Sequence, residues 1–120
     1  MAIKLTNFYD QLAILGVDFF TGVPDSLLKE SCLCIDDFIL KEKHIITANK
    51  GNAVALAGGY YLAQKSVTLV YMQNSGLGNA INPLSSIAHS KVYSIPMILS
   101  CKIWRMKRIY DMRSKNRCLF

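Results

Sequence analysis

The chain has 120 residues, 52% of them hydrophobic and 18% charged, which is enough apolar material for one packed domain and too little charge for a disordered one. Its formal charge of +6 sits at one end: residues 1–101 carry seven Lys, seven Asp or Glu and no Arg, whereas residues 102–120 carry seven Lys or Arg against Asp111. The body is neutral, so the basic total is no argument that the fold binds nucleic acid.

Residues 3–15 place Phe8, Leu12 and Leu15 at helical spacing, with Thr6 as a candidate cap and Gly16 as a stop. Residues 17–23 read as a strand. Pro24 suits the first position of a new helix, with Asp25 and Ser26 in its first turn and Leu27, Leu28, Leu33 and Phe38 on its apolar side. A second strand is expected over residues 44–49. Residues 51–63 are apolar nearly all round and predict a buried helix, in which Gly58-Gly59 would let a neighbouring element come close. Residues 67–72 form a continuous β-type run. A polar, glycine-rich loop over 73–79 leads into a helix ending near Ala88, and residues 94–100, with Pro96 near the start, predict a fourth strand. Apolar strands alternating with helices predict an α/β fold: a parallel sheet with helices on both faces and right-handed crossovers.

No apolar run reaches bilayer length, and Met1-Ala2-Ile3-Lys4 opens no signal-peptide core, so a cytoplasmic chain without a membrane partner is expected. Cys32, Cys34, Cys101 and Cys118 show no metal-ligand spacing and read as reduced thiols; no metal site is expected. His44 and His89 are isolated, and His44 beside a strand reads as structural. Gly76-x-Gly78 is a partial dinucleotide fingerprint, but Ile81 stands where its third glycine belongs.

Ligands of open parallel sheets gather at the carboxyl ends of the strands. Three unusual loops fall there: Gly22-Val23-Pro24-Asp25-Ser26, Asn49-Lys50-Gly51-Asn52, and Gln73-Asn74-Ser75-Gly76-Leu77-Gly78-Asn79. Each leads into a helix start, where free N–H groups favour anions. Asp25 is either a helix-start carboxylate or a catalytic group; Asn74 and Ser75 are either caps or ligand contacts. Lys50 opposes the positive end of the helix it begins, at a cost of about 0.3–1 kcal/mol when exposed. It either reaches to solvent or aims a cation at the strand-end cleft.

These three segments, extended to residues 20–28, 48–57 and 70–84, resemble the N-terminal region of the phosphonopyruvate decarboxylase family of thiamine-diphosphate enzymes. Sulfopyruvate decarboxylase α subunits are similar but less close. The resemblance runs from about residue 3 to Ser100. It implies a pyrimidine-binding domain over residues 1–101, holding only the pyrimidine end of thiamine diphosphate, and the conversion of 3-phosphonopyruvate, a small 2-keto acid, to phosphonoacetaldehyde and CO2. By position it implies cofactor contacts at Asn49, Gly51, Asn52, Gln73, Asn74 and Gly76, and catalytic positions at Lys50 and Asp25.

Two departures accompany the resemblance. Family members carry Ala-Asn-Glu-Gly-Asn-Ala, the glutamate bonding the pyrimidine nitrogen to activate the cofactor; here the stretch is Ala48-Asn49-Lys50-Gly51-Asn52-Ala53. Loss of one such preorganised partner costs about 2.7–4 kcal/mol in the barrier, so a chain impaired alone is expected. In addition, residues 102–120 depart from the family, and no Gly-Asp of the magnesium motif occurs. The fold is then incomplete at its C-terminus, and Mg2+ and the diphosphate need a missing domain or a partner chain. A sulfopyruvate decarboxylase α-like subunit with such a partner, and a non-catalytic interaction or remnant protein, are the alternatives. An exposed apolar interface implies self-association or that partner. Nucleic-acid binding by the basic tail is weighed against a solvated tail, which is favoured.

Overall fold

The computed structural model describes residues 4–102. The basic stretch from residue 103 onward, with Cys118, lies outside them. The expected domain boundary at 101/102 falls at the end of the last strand, which runs to Lys102.

Helix α1 spans Leu5–Ile14 and buries Tyr9 and Leu12. Its N-cap is Lys4, without a side-chain bond, and Thr6 lies inside the helix rather than capping it. Gly16 ends it at φ +82°. The amides of Gly16 and Val17 return to the carbonyls of Ala13 and Leu12 at 3.0 and 2.9 Å, a pairing that needs the left-handed glycine. Strand β1 spans Phe19–Gly22. No helix begins at Pro24: a 3-10 turn over Ser26–Leu28 comes first, capped by Asp25, and α2 spans Lys29–Phe38. The Asp25 carboxylate accepts the Leu27 amide at 2.8 Å, which fixes the start of the turn at Ser26, two residues after Pro24.

Strand β2 is short, His44–Ile46, after a 3-10 turn over Lys41–Lys43. Helix α3 spans Lys50–Gln64, strand β3 Thr68–Gln73, helix α4 Leu77–Pro83 and strand β4 Met97–Lys102. After α4 the chain widens into a π turn over Leu84–Ala88. Pro83 has no N–H to give the carbonyl four residues back, which loosens the helix where it widens.

The four strands form one parallel sheet in the order β2-β1-β3-β4. Its alternating side chains feed two cores. Phe20, Leu69 and Tyr71 join Tyr9, Leu12, Leu28 and Ile35 from α1, α2 and the turn before it. Val70 and Met72 join Ala53, Val54, Ala57 and Ala80 from α3 and α4 on the other face. Helices thus cover both faces, as the uninterrupted apolar strands require. Helix α3 is buried on one side only: Ala53, Val54, Ala57 and Gly58 are inside, whereas Ala55, Gly59 and Leu62 are exposed. Gly58 admits Ile87, whose Cγ2 lies 2.8 Å from where a Cβ would stand, but Gly59 faces open space.

At the amino end of the sheet Asp18 ties three elements together. Its carboxylate accepts Ser66 Oγ at 2.8 Å, Lys43 Nζ at 3.1 Å and Tyr60 Oη at 3.2 Å. Tyr60 also stacks on Phe19, ring centroids 4.1 Å apart. Burial pushes the Asp18 carboxyl up, but hydrogen bonds from Ser66, Lys43 and Tyr60 outweigh it and hold it below its ordinary value of 3.8. A carboxyl depressed on folding stabilises the fold above its unfolded pKa and loses that contribution as pH falls through the folded value. Asp18→Asn should therefore lower Tm at pH 7, and the gap to the parent chain should narrow as melting is measured at pH values falling below the ordinary carboxyl value of 3.8. A second expectation concerns Thr68, which is fully buried with Oγ1 lacking a partner among the described residues. An unpaired buried hydroxyl costs about 1–3 kcal/mol; Thr68→Val should raise stability by about 1 kcal/mol in urea unfolding.

Candidate functional site

Because β1, β2 and β3 run parallel side by side, their carboxyl ends open on one edge of the sheet. The three loops meet there. The Thr47 amide donates to the Gly22 carbonyl at 3.0 Å, which ties the second loop to the first. A Cβ on Gly51 would stand 3.0 Å from the Asn79 carbonyl, which brings the second loop against the third. That carbonyl is the one Pro83 leaves without its helical donor.

Asn49 is the N-cap of α3; its Oδ1 accepts the Asn52 amide at 2.9 Å. Asn49 and Asn52 are exposed and Gly51 half-buried. Lys50 is the first residue of α3, also half-buried. Its stem lies across Gly76: a Cβ there would fall 2.5 Å from Lys50 Cε and 2.8 Å from Cδ and Cγ. Gly76 is buried beneath it. The aliphatic stem therefore packs on the third loop while the ammonium stays at the strand-end edge. Among the described residues Lys43 forms an ion pair with Asp18 and the His44 ring lies against the Asp36 carboxylate, and Lys50 belongs to neither contact. Gln73 is the last residue of β3, half-buried, and Asn74 opens the following 3-10 turn, exposed.

Asp25 stands apart from this contact. With Pro24, Ser26, Lys29, Cys32, Leu33 and Asp36 it lines an open groove along α2, whose walls do not include Lys50, Asn49 or Gln73. The Cys32 thiol in that groove is pushed up by burial and by Asp36, and stays protonated. The structure thus joins Asn49, Lys50, Gly51 and Gly76 in one contact region, and places Asp25 on its flank.

One set of polar residues escapes a reading by sequence. His44 Nδ1 lies 3.2 Å from Asp36 Oδ1 and its Nε2 lies 2.8 Å from Tyr71 Oη. The carboxylate can only accept, so Nδ1 carries the proton and the tyrosine donates to Nε2. Burial, then Cys32, Asp36 and Tyr9, push the Tyr71 hydroxyl far up, which keeps it a donor. The three residues come from α2, β2 and β3. No spacing in the chain announces them, because the contact crosses β1; the one signal is Gly22, whose missing side chain leaves room for the Tyr71 ring.

Among the described residues no group of His, Cys, Asp and Glu could hold a metal ion, and no helix is long and apolar enough to cross a membrane. Cys32, Cys34 and Cys101 are unbridged.

A family profile described as thiamine pyrophosphate enzyme, N-terminal TPP binding domain, matches residues 6–103. The chain is 37% identical over 92 residues to the sulfopyruvate decarboxylase subunit alpha of Methanococcus maripaludis, covering 76% of this chain and 52% of that one. It is 35% identical over 94 residues to the subunit of the same name from Methanocaldococcus jannaschii, with the same coverage. It therefore spans about half the length of these relatives. Among solved structures it resembles benzoylformate decarboxylase from Polynucleobacter necessarius (TM-score 0.72, 21% identity, 92% of this chain and 20% of that one). It also resembles a thiamin diphosphate-dependent enzyme isolated from Mycobacterium smegmatis (TM-score 0.67, 24% identity, 86% and 19%). At these identities the structural likeness establishes the fold alone.

The Lys50–Gly76 packing is testable by a double-mutant cycle. Gly76 has φ −80° and ψ −8°, which alanine adopts freely, so any cost of Gly76→Ala is steric. Gly76→Ala should destabilise the parent chain but be nearly neutral in a Lys50→Ala background. The coupling expected in urea unfolding is about 0.5–3 kcal/mol.

Proposed function

The chain belongs to the thiamine pyrophosphate enzymes as an N-terminal TPP-binding domain, and from that premise we propose that it is the pyrimidine-side half of a sulfopyruvate decarboxylase α-like protein. Turnover would need a partner chain that carries the diphosphate and Mg2+ ligands, and even against such a partner Lys50 holds this chain inactive. The substrate class is a small 2-keto acid bearing a sulfonate.

The relatives named above are decarboxylase α subunits, a designation that goes with a second subunit. They favour the sulfonate over the phosphonate that the motifs first suggested. The likeness to benzoylformate decarboxylase concerns the fold and says nothing of the acid group.

Lys50 is the observation that carries the proposal of inactivity. Thiamine diphosphate, when bound, supplies the carbanion and the electron sink for loss of CO2. To release that carbanion, the pyrimidine must have its ring nitrogen protonated, and a protonated nitrogen needs an anion beside it. The residues of this chain do not fit that need. The three converging loops contain a single carboxylate, Asp25, and it caps its own turn by accepting the Leu27 amide. At the start of α3 stands an ammonium whose stem is anchored on Gly76. Next to it are amides, Asn49 and Asn52, one of which is spent on the helix cap. A cation there repels a protonated ring, and the N-terminal end of α3 adds its positive partial charge in the same direction. Alone, the three loops offer no group that holds the extra proton of such a ring.

The test is reconstitution with a sulfopyruvate decarboxylase β-type partner, thiamine diphosphate and Mg2+. The parent chain should form a complex yet release CO2 from sulfopyruvate at background rate, and Lys50→Glu should raise the rate by about 100-fold or more, the size of one preorganised electrostatic partner. Equal rates with Lys and Glu would overturn the inactivity of the parent chain. Failure of both chains to bind the partner would overturn the α-like assignment.

A further inference from the structure

We propose that the Lys50 side chain is a site of reversible carboxylation: its amine takes up carbon dioxide as a carbamate, which replaces the cation at the start of α3 by an anion. In this step the neutral amine attacks the carbon of CO2 and a C–N bond forms. One C=O π bond becomes the C–O− bond of the carbamate, and the nitrogen gives one proton to solvent. Nothing is oxidised or reduced, and CO2 is the one co-reactant. The inference rests on the reading above only for its consequence, because the new anion stands where the ammonium blocks turnover.

The surroundings of Lys50 favour this exchange of charge. It is the first residue of α3, a helix of 15 residues, and the N-terminal end of a helix stabilises an anion and opposes a cation. The three converging loops contain one carboxylate, Asp25, which caps its own turn and lines a groove whose walls do not include Lys50. Lys50 therefore has no ion pair among the described residues to set against the helix end. Gly76 supplies the seat: a Cβ there would fall 2.5 Å from Lys50 Cε and 2.8 Å from Cδ and Cγ. A half-buried stem lying on a glycine has already lost rotamer freedom, so carboxylation of its tip orders little further chain.

Other lysines of the fold lack this combination. Lys29 also opens a helix, α2, but it shares its groove with Asp25 and Asp36, and Glu30 follows it. Carboxylates so placed favour the ammonium. Lys43 is paired with Asp18 at 3.1 Å. Lys65 caps the opposite end of α3, where the helix favours a cation. Lys4 stands at the N-cap of α1 but is exposed, and water and salt screen the helix end there. Exchange of an opposed cation for a favoured anion corresponds to roughly a 3- to 30-fold higher carbamate fraction at Lys50 than at an exposed lysine away from helix ends.

The experiment uses the 120-residue chain alone, without partner, thiamine diphosphate or Mg2+. Its failure therefore leaves the α-like assignment untouched, and failure of that assignment leaves the carbamate standing. The chain is equilibrated with isotopically labelled bicarbonate, carbamates are fixed by alkylation with a trialkyloxonium salt, and peptide mass mapping locates them. The label is expected on Lys50 at roughly 3- to 30-fold the fraction on exposed Lys91, and it should disappear when CO2 is purged before alkylation. Asn74→Asp, which adds a carboxylate two residues from Gly76, should lower the Lys50 fraction toward that of Lys91 with unchanged circular dichroism. If that variant fails to fold, the map of the parent chain decides by itself. A Lys50 fraction no higher than that of Lys91, a Lys29 fraction equal to that of Lys50, a label that survives purging, or a folded Asn74→Asp chain with an unchanged Lys50 fraction would each overturn the site.

Discussion

The close approach of β1 to β3 at Gly22 is the constraint on which the rest of this molecule depends. Gly22 pairs with Tyr71, and a Cβ on Gly22 would run into the Tyr71 carbonyl and ring. Without that side chain the ring leans across β1, and its hydroxyl meets His44 on β2. Three strands are thereby tied by one side chain that starts in the middle of the sheet. The Gly22 carbonyl also takes the Thr47 amide, which carries the tie to the loop before α3. The first two strand-end loops are thus tied at Gly22, while the contacts of Gly51 with Asn79 and of Lys50 with Gly76 bring in the third.

The two ends of the sheet are built on different principles. At the amino end, Asp18 collects Ser66, Lys43 and Tyr60 into a network whose donors and acceptors satisfy one another. A satisfied network stiffens a structure and leaves little to offer a ligand. At the carboxyl end lie glycine-bearing turns, and Lys50 belongs to no ion pair among the described residues. Open parallel sheets as a class gather their ligands at that carboxyl end.

How much of this the sequence announces depends on the range of the interaction. Strand–helix alternation and near-continuous apolar strands are local signals, and each of the eight elements stands within a few residues of its expected place. Local rules fail where a neighbour in the chain is overruled by a neighbour in space. Thr6 has the right chemistry for a cap, yet the helix starts before it. Pro24 suits a helix start, yet the Asp25 carboxylate takes the Leu27 amide and makes a separate turn. The all-round apolar sequence of α3 suggests full burial; the helix lies on one sheet face beside α4, and its remaining side has no third layer in the described residues. The motif residues Asn49, Lys50, Gly51 and Gly76 are legible as a group because they all sit at strand ends, a topological property. Asp36, His44 and Tyr71 are not, because their contact crosses β1 and has no period in the chain.

Lys50 shows most clearly that fold and chemistry can part company. On the proposed reading its charge is wrong for the work done at that place, yet nothing in the packing resists it. The stem lies on a glycine that leaves room for three methylene or methine-sized groups, and the ammonium reaches the edge of the sheet without entering either core. A long aliphatic side chain with a polar tip can occupy a site between apolar backbone and water at little structural cost. A lysine at the start of α3 therefore leaves the sheet, its register and its converging loops in place, whatever it does to a ligand. A matching fold is accordingly weak evidence of turnover in this chain, because function follows from the side chains of a site, such as the one at the start of α3, and not from the frame that carries them.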